Sequence, residues 1–325
     1  MNAMVRDGLT LAVGAALAGA GALLIDPGLL FLFSEVLVLL FLAQMWNLLA
    51  GYGGQVSLGH QAFVGMGAYA LFFIANNTAL SPWLVLLIVP VLVGLIAIPL
   101  GAIVFNLKHA YFAIGMWVVA EIAQALTFRA EWLGGSFGMV LRPNGEIFAG
   151  NPEQLIFFIG AFGCVALMVA LRRFLGSPLG LALLCVRDNE PAAASAGVNV
   201  YVLYLFVFAL SAGGCAAAGA LFYMTALYVA PADAFQVNWA VAMMFIAVVG
   251  GLGTLAGPVL GVAIFIGLRE TMAAFGFSGG TYWIVMGVIA IATLLLAPRG
   301  LWPALTNLAT RRKSLFRRVS EPEKW

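Results

Sequence analysis

Six polar side chains, Gln44, Asn47, Gln55, Ser57, His60 and Gln61, stand among Gly51, Gly53, Gly54, Gly59 and Gly65 in a stretch that is otherwise apolar. Ser57 and His60 are three residues apart, so on a helix they could share a face as a nucleophile and its base. No third group in the neighbourhood orients the histidine, which weakens a hydrolase reading. Glycines at this density favour close backbone approach instead. Where a membrane helix unwinds, its freed backbone groups and polar side chains can line a route for a polar solute. Small residues can equally let helices pack tightly, with polar groups bonding across them. For any one residue these readings balance; the cluster as a whole favours a solute route formed by Gln44, Asn47, Tyr52, Gln55, Ser57, Gly59 and His60.

Four charges fall inside apolar segments: Glu35, Glu121 and the adjacent Arg269 and Glu270. A lone charge at mid-bilayer costs about 2.5–3.5 kcal/mol, so partners are expected. Arg269 is expected to pair with Glu35 or Glu121, as a structural ion pair before a substrate site. Other chemistry is missing. There is no GxxxxGK[ST] loop, and none of Lys108, Lys313 and Lys324 follows a glycine, so nucleotide hydrolysis would have to occur on another polypeptide. His60 and His109 lack neighbours at metal-ligand spacing, so no metal site is expected. Cys164, Cys185 and Cys215 show no paired spacing and read as buried thiols. A net charge of +2 gives no nucleic-acid footprint.

The elements that must position these groups are membrane helices. Of 325 residues, 64% are hydrophobic and 9% charged, against roughly 45–50% and 25% in soluble domains. This composition excludes both a soluble globular domain and a disordered chain. Because a crossing takes about 20 apolar residues, ten candidates emerge, near 8–25, 28–50, 56–75, 83–105, 110–127, 154–171, 201–225, 237–249, 257–275 and 281–297. The expected fold is an all-α polytopic bundle, with glycine-rich breaks near 51–59 and 250–258. The first segment reads as a retained crossing and not a cleaved leader. The eighth is short for a crossing and runs into Gly250, Gly251, Gly253, Gly257 and Pro258, where two crossings or a re-entrant hairpin are expected.

Basic loops stay in the cytoplasm. With the N-terminus inside, twelve of the fifteen Lys and Arg are cytoplasmic, and only Arg129, Arg142 and Arg269 fall on or towards the outside. Both termini are therefore expected inside. The division is a membrane domain over 1–302 and a basic tail over 303–325, suited to anionic lipid. Loop 128–153 lies outside and loop 172–200 inside. Within the inner loop, Asp188-Asn189-Glu190-Pro191 opens, and Gly197 closes, a short helix over an alanine run. A small-residue surface rimmed by charge suits a groove on a soluble partner better than a lipid surface.

The segments WNLLAGYGGQVSLGHQAFVGMGAY, SPLGLALLCVRDNEPAAASAGVN, GGLGTLAGPVLGV and LLLAPRGLW together resemble the LivM-type permeases of branched-chain amino acid ABC transporters, over about residues 28–302. The resemblance implies a multi-pass protein of the bacterial inner membrane. It also implies a second, LivH-type permease, two ATPase subunits that hold ATP and Mg, and a periplasmic solute-binding protein. Arg187, Asp188, Asn189, Glu190, Ala193 and Gly197 then fall in the element that docks on the ATPases. Leu181, Leu183, Leu184 and Cys185 stand where relatives carry Arg, leaving Arg187 as the main basic contact. Relatives handle branched-chain amino acids, but also urea, short amides and small carboxylates. A rival of another class is a self-sufficient proton-coupled transporter using Glu35, Glu121 or His60.

Overall fold

The computed structural model describes residues 3–24, 26–107, 110–142, 152–277 and 279–306. Lys108, His109 and the basic tail from 307, including Arg311 to Arg318, lie outside the described residues, as does the 143–151 part of the expected outer loop. The chain is an all-α polytopic membrane bundle. A helix occupies each of the ten expected segments: α1 Ala3–Leu24, α2 Pro27–Asn47, α3 Gln61–Asn77, α4 Pro82–Val104, α5 Ala110–Arg129, α6 Pro152–Leu175, α9 Val200–Ala226, α11 Asn238–Gly251, α12 Gly257–Ala274 and α13 Gly280–Leu296. Two short helices, α7 Pro178–Asp188 and α8 Glu190–Ser195, fill the loop between α6 and α9, and α10 Pro231–Ala234 precedes α11. Among the described residues seven segments are long and apolar enough to cross a membrane; the segment short in sequence is one of them, because α10 and α11 together make an apolar run over Pro231–Gly251.

The starts follow from local chemistry. Pro27 and Pro82 occupy first turns, where a missing N–H costs nothing. Ser81 and Asn199 accept from Leu84 N and Val202 N, capping α4 and α9. Two strands, β1 (Met139–Val140) and β2 (Tyr228–Val229), pair antiparallel, and Asn76 at the end of α3 bonds Val140 and Arg142 beside them. This end of the bundle lies opposite the one that carries α7 and α8.

Helix α9 is the hub. Its small residues let two neighbours, α3 and α4, approach to backbone contact, the packing that membranes favour because lipid gives no hydrophobic force between helices. A Cβ on Gly213 would stand 2.5 Å from the Pro90 carbonyl oxygen of α4, and one on Gly94 3.1 Å from that of Ala209. Gly67 and Gly219 meet the carbonyls of Ala216 and Val64 across α3 and α9. On the other flank, α1 lies along α6, where Asp7 pairs with Arg173 Nε at 2.8 Å.

Arg269 of α12 pairs with Glu35 of α2 and not with Glu121. Nη2 donates to Glu35 Oε2 at 2.8 Å, Nη1 to the other oxygen, and Nε and Nη2 also reach Glu270. The bidentate fork explains the choice, since two parallel bonds in a poorly solvated site satisfy both charges at once. The expectation of three buried thiols needs correction. Cys164 and Cys215 are buried, but Cys185 is exposed, because α7 is amphipathic and turns Leu183 and Val186 inward instead.

If the Arg269–Glu35 fork joins α12 to α2, Arg269→Gln and Glu35→Gln should be strongly non-additive. Thermal unfolding in detergent is expected to give a coupling of about 1–3 kcal/mol in a double-mutant cycle, whereas Arg269→Gln with Glu121→Gln should add.

Candidate functional site

Helix α2 does not end cleanly at Asn47; it widens into a π-helical turn over Leu48–Tyr52. Such turns disturb the regular ladder and free backbone groups. Gly54, at φ +74, then reverses the chain, with its N–H and that of Gln55 returning to the carbonyls of Ala50 and Leu49 at 3.1 Å each. The unwinding expected over 51–59 is thus the reversal between α2 and α3. The second expected break, between α11 and α12, is a tight hairpin turn over 252–256.

These two breaks meet. Asn47 Oδ1 accepts from Gly253 N at 2.8 Å, and its Nδ2 donates to the Thr254 carbonyl at 3.0 Å. One turn earlier on the same face, Gln44 Nε2 donates to the Leu255 carbonyl at 2.7 Å. Thr254 Oγ1 donates to the Gly251 carbonyl at 2.7 Å and accepts from Gly257 N at 3.0 Å, capping α12. Three consecutive backbone groups of the turn are therefore held by two amide side chains. Gly51 is glycine for a steric reason, since a Cβ would stand 2.5 Å from Gly253 N and would also collide with Asn47 Oδ1.

Arg187, at the end of α7, closes the assembly. Its Nη1 donates to the Gly51 carbonyl at 3.2 Å, and its Cγ would lie 3.1 Å from a Cβ on Gly54. A Cβ on Gly253 would stand 3.4 Å from the same Nη1. Nε and Nη2 hold Asp188 at 2.9 and 2.8 Å. With its side chain 34% exposed, Arg187 spans from the surface of the α7–α8 element to both breaks.

Ser57 and His60 do meet, with Ser57 Oγ and His60 Nδ1 2.8 Å apart. His60 Nε2 lies 2.9 Å from Ser211 Oγ, which donates to the Met45 carbonyl at 2.7 Å. A neutral imidazole satisfies this relay, with Nδ1 accepting from the Ser57 hydroxyl and Nε2–H donating to Ser211 Oγ. Phe63 and Phe208 pack edge-on against the ring, and Trp46 Nε1 donates to the Ser57 carbonyl at 2.8 Å. Since His60 and Ser57 are 0% and 1% exposed, the pair stitches α2, α3 and α9 together and no solvent reaches it. Sequence reading missed Ser211; a lone serine beside Gly213 and Gly214 in α9 was the available signal.

The other expected residues divide by position. Gln44, Asn47, Tyr52 and Gly59 are buried, and Gln55 is half-buried beside Tyr204. Gly59 sits against the Met116 carbonyl of α5. Glu35 and Arg269 lie far from this cluster, near the opposite end of α2. The short helix is α8. Its cap is Asn189, whose side chain accepts from Ala192 N at 3.1 Å, and Gly197 ends the segment at φ +91. Asp188, Asn189 and Glu190 are exposed beside Ala192, Ala194 and Ala196, while Ala193 turns inward and is buried. Helix α7 was not anticipated, although Ser177 caps it by accepting from Gly180 N and Pro178 opens it.

The family described as "Branched-chain amino acid transport system / permease component" matches residues 28–294. The chain is similar to the high-affinity branched-chain amino acid transport system permease protein LivM of Escherichia coli strain K12, at 24% identity, covering 92% of this chain and 76% of that protein. The corresponding LivM of Salmonella typhimurium strain LT2 is 23% identical over the same shares. A probable branched-chain amino acid transport permease protein LivM of Methanocaldococcus jannaschii is 23% identical over 79% of this chain and 81% of its own length. No solved structure matches the chain.

Asn47→Ala would leave the Gly253 N–H and the Thr254 carbonyl without partners, at an expected cost of about 2 kcal/mol or more. Gly51→Ala should cost at least as much, because backbone cannot retreat. Gly267→Ala, where a Cβ meets nothing within 4 Å, is the control and should be tolerated. Unfolding midpoints of the three purified variants in one detergent check the ranking.

Proposed function

We propose, from the premise that this chain belongs to the family of branched-chain amino acid transport permease components, that it is the membrane-spanning subunit of an ATP-binding-cassette importer of the bacterial inner membrane. In this reading a second, homologous permease completes the pore. Two ATPase subunits, which bind the ATP and Mg, dock on α7 and α8, and a periplasmic binding protein delivers the solute. Branched-chain amino acids are the solute, as the names of the relatives suggest. Residues Gln44, Asn47, Tyr52, Gln55, Ser57, Gly59 and His60 belong to the moving region beside the solute route.

The observation that carries the reading is the Arg187 bridge. Helix α8 offers small exposed side chains rimmed by Asp188, Asn189 and Glu190, a shape suited to a groove on a soluble partner. Closure of the ATPases on ATP would displace α7 and α8. Arg187 would pass that displacement to the π-turn through the Gly51 carbonyl, and Asn47 would pass it on to the α11–α12 turn. ATP biases the cycle only as far as it binds one arrangement more tightly than the other. Loss of the bridge should therefore separate hydrolysis from movement.

Purification in mild detergent with the neighbouring subunits is expected to recover a second permease and two P-loop ATPases. In proteoliposomes of that complex, Arg187→Gln is expected to lower ATP-driven uptake about 10-fold, the effect of one lost charge-assisted hydrogen bond, while ATP hydrolysis persists. Glu190→Ala, on the docking rim, should instead reduce recovery of the ATPases. Uptake by this chain alone, driven by a proton gradient, would overturn the proposal.

A further inference from the structure

Helix α5 has two unlike faces. Phe112, Met116, Ala120, Ala123 and Thr127 are buried against the bundle, whereas Ile114, Trp117, Glu121 and Ala125 are exposed along the opposite side. Glu121 is eleven residues from Ala110 and eight from Arg129, about 16 and 12 Å along the helix at 1.5 Å per residue. Its carboxylate is therefore exposed near the middle of a membrane-spanning segment. One oxygen accepts from Trp117 Nε1 at 3.0 Å. Among the described residues no cation pairs with it, and Arg269, expected to pair with Glu35 or Glu121, is held by Glu35 and Glu270.

A lone carboxylate facing acyl chains there is costly, and such groups almost always face the bundle interior or a water-filled cavity instead. We infer that this face of α5 borders a water-filled part of the solute route, and that Glu121 and Trp117 receive the ammonium group of an amino acid solute there. The inference rests on the amino acid permease reading above and names the residue that reads the solute's charge. The chemistry is complementary. A carboxylate with open lone pairs accepts from the three N–H donors of an ammonium, and an indole beside it offers a π face to the same charge. Position links the pair to the breaks: the carbonyl of Met116, next to Trp117, lies against Gly59. Movement of the α2–α3 reversal would therefore carry α5 with it, changing what Glu121 faces.

The test is uptake of radiolabelled leucine by the reconstituted transporter, with its binding protein, for wild type, Glu121→Gln, Glu121→Asp and Trp117→Phe. Glu121→Gln keeps an acceptor but loses the charge, and is expected to lower kcat/KM for uptake about 10-fold or more, with the complex still assembling. Glu121→Asp should recover most of the rate, and Trp117→Phe, which keeps an aromatic face, should lie between. Unchanged uptake in Glu121→Gln would place the face against lipid and overturn the inference. Failure of Glu121→Gln to assemble with the second permease, with Glu121→Asp assembling normally, would assign the carboxylate to a subunit contact and also overturn it. A wild-type complex that takes up no amino acid would overturn the permease reading itself, a result separable from the other two because it needs no variant.

Discussion

Backbone groups that leave a helix where water is scarce must find partners inside the protein, and this requirement organises the whole molecule. The chain breaks its helices twice, after Asn47 and after Gly251, and brings the two breaks into contact so that each satisfies the other. Asn47 serves one N–H and one carbonyl of the hairpin turn, Gln44 serves a second carbonyl, and Arg187 serves the carbonyl of Gly51. Glycine is required where the backbones touch, since any side chain at Gly51 would occupy the space of Gly253. Elsewhere the glycines of α3, α4 and α9 perform the simpler task of close helix packing.

Because the same groups that satisfy the breaks also join them, the arrangement is mechanical as well as stabilising. Helix α2 is tied at one end to the α11–α12 turn by the amide bonds and to α7 by the guanidinium bond, and near its opposite end to α12 by Glu35 and Arg269. Helices α3 and α9 are tied to α2 through His60, Ser211 and the Met45 carbonyl. A displacement entering through α7 therefore meets a connected set of polar links and not a loose apolar interface. In the proposed importer, that set is what converts movement of a soluble partner into rearrangement of the bundle.

Much of this was legible in the sequence. Each of the ten apolar runs holds a helix, and among the described residues seven segments are long and apolar enough to cross, because a long apolar stretch is a signal that few other constraints can imitate. The short helix after Asp188 was readable from Asn189, Pro191 and Gly197, whose roles at helix ends are local. The polar cluster around Ser57 and His60 was visible, but not its purpose. Its decisive partners, Ser211 and the backbone of 253–255, lie some 150 to 210 residues away, and backbone acceptors leave no trace in a sequence. Arg187 was expected to face outward to a partner, as charged loop residues usually do; only the approach of Gly51 and Gly54 shows why it turns back. Helix α7 was hidden because its leucines looked like a departure from the pattern of relatives instead of an amphipathic face.

The most direct measurement of the clamp is the distance between spin labels on the two breaks, at Val56 and Leu252, both partly exposed, in a background lacking the exposed Cys185. The account expects one narrow distance distribution in the assembled wild-type transporter, and a clearly broader one when Asn47→Ala removes the amide link between the breaks. A broad distribution in the wild type, or one that Asn47→Ala leaves unchanged, would contradict the claim that Asn47 holds the two breaks as a single unit.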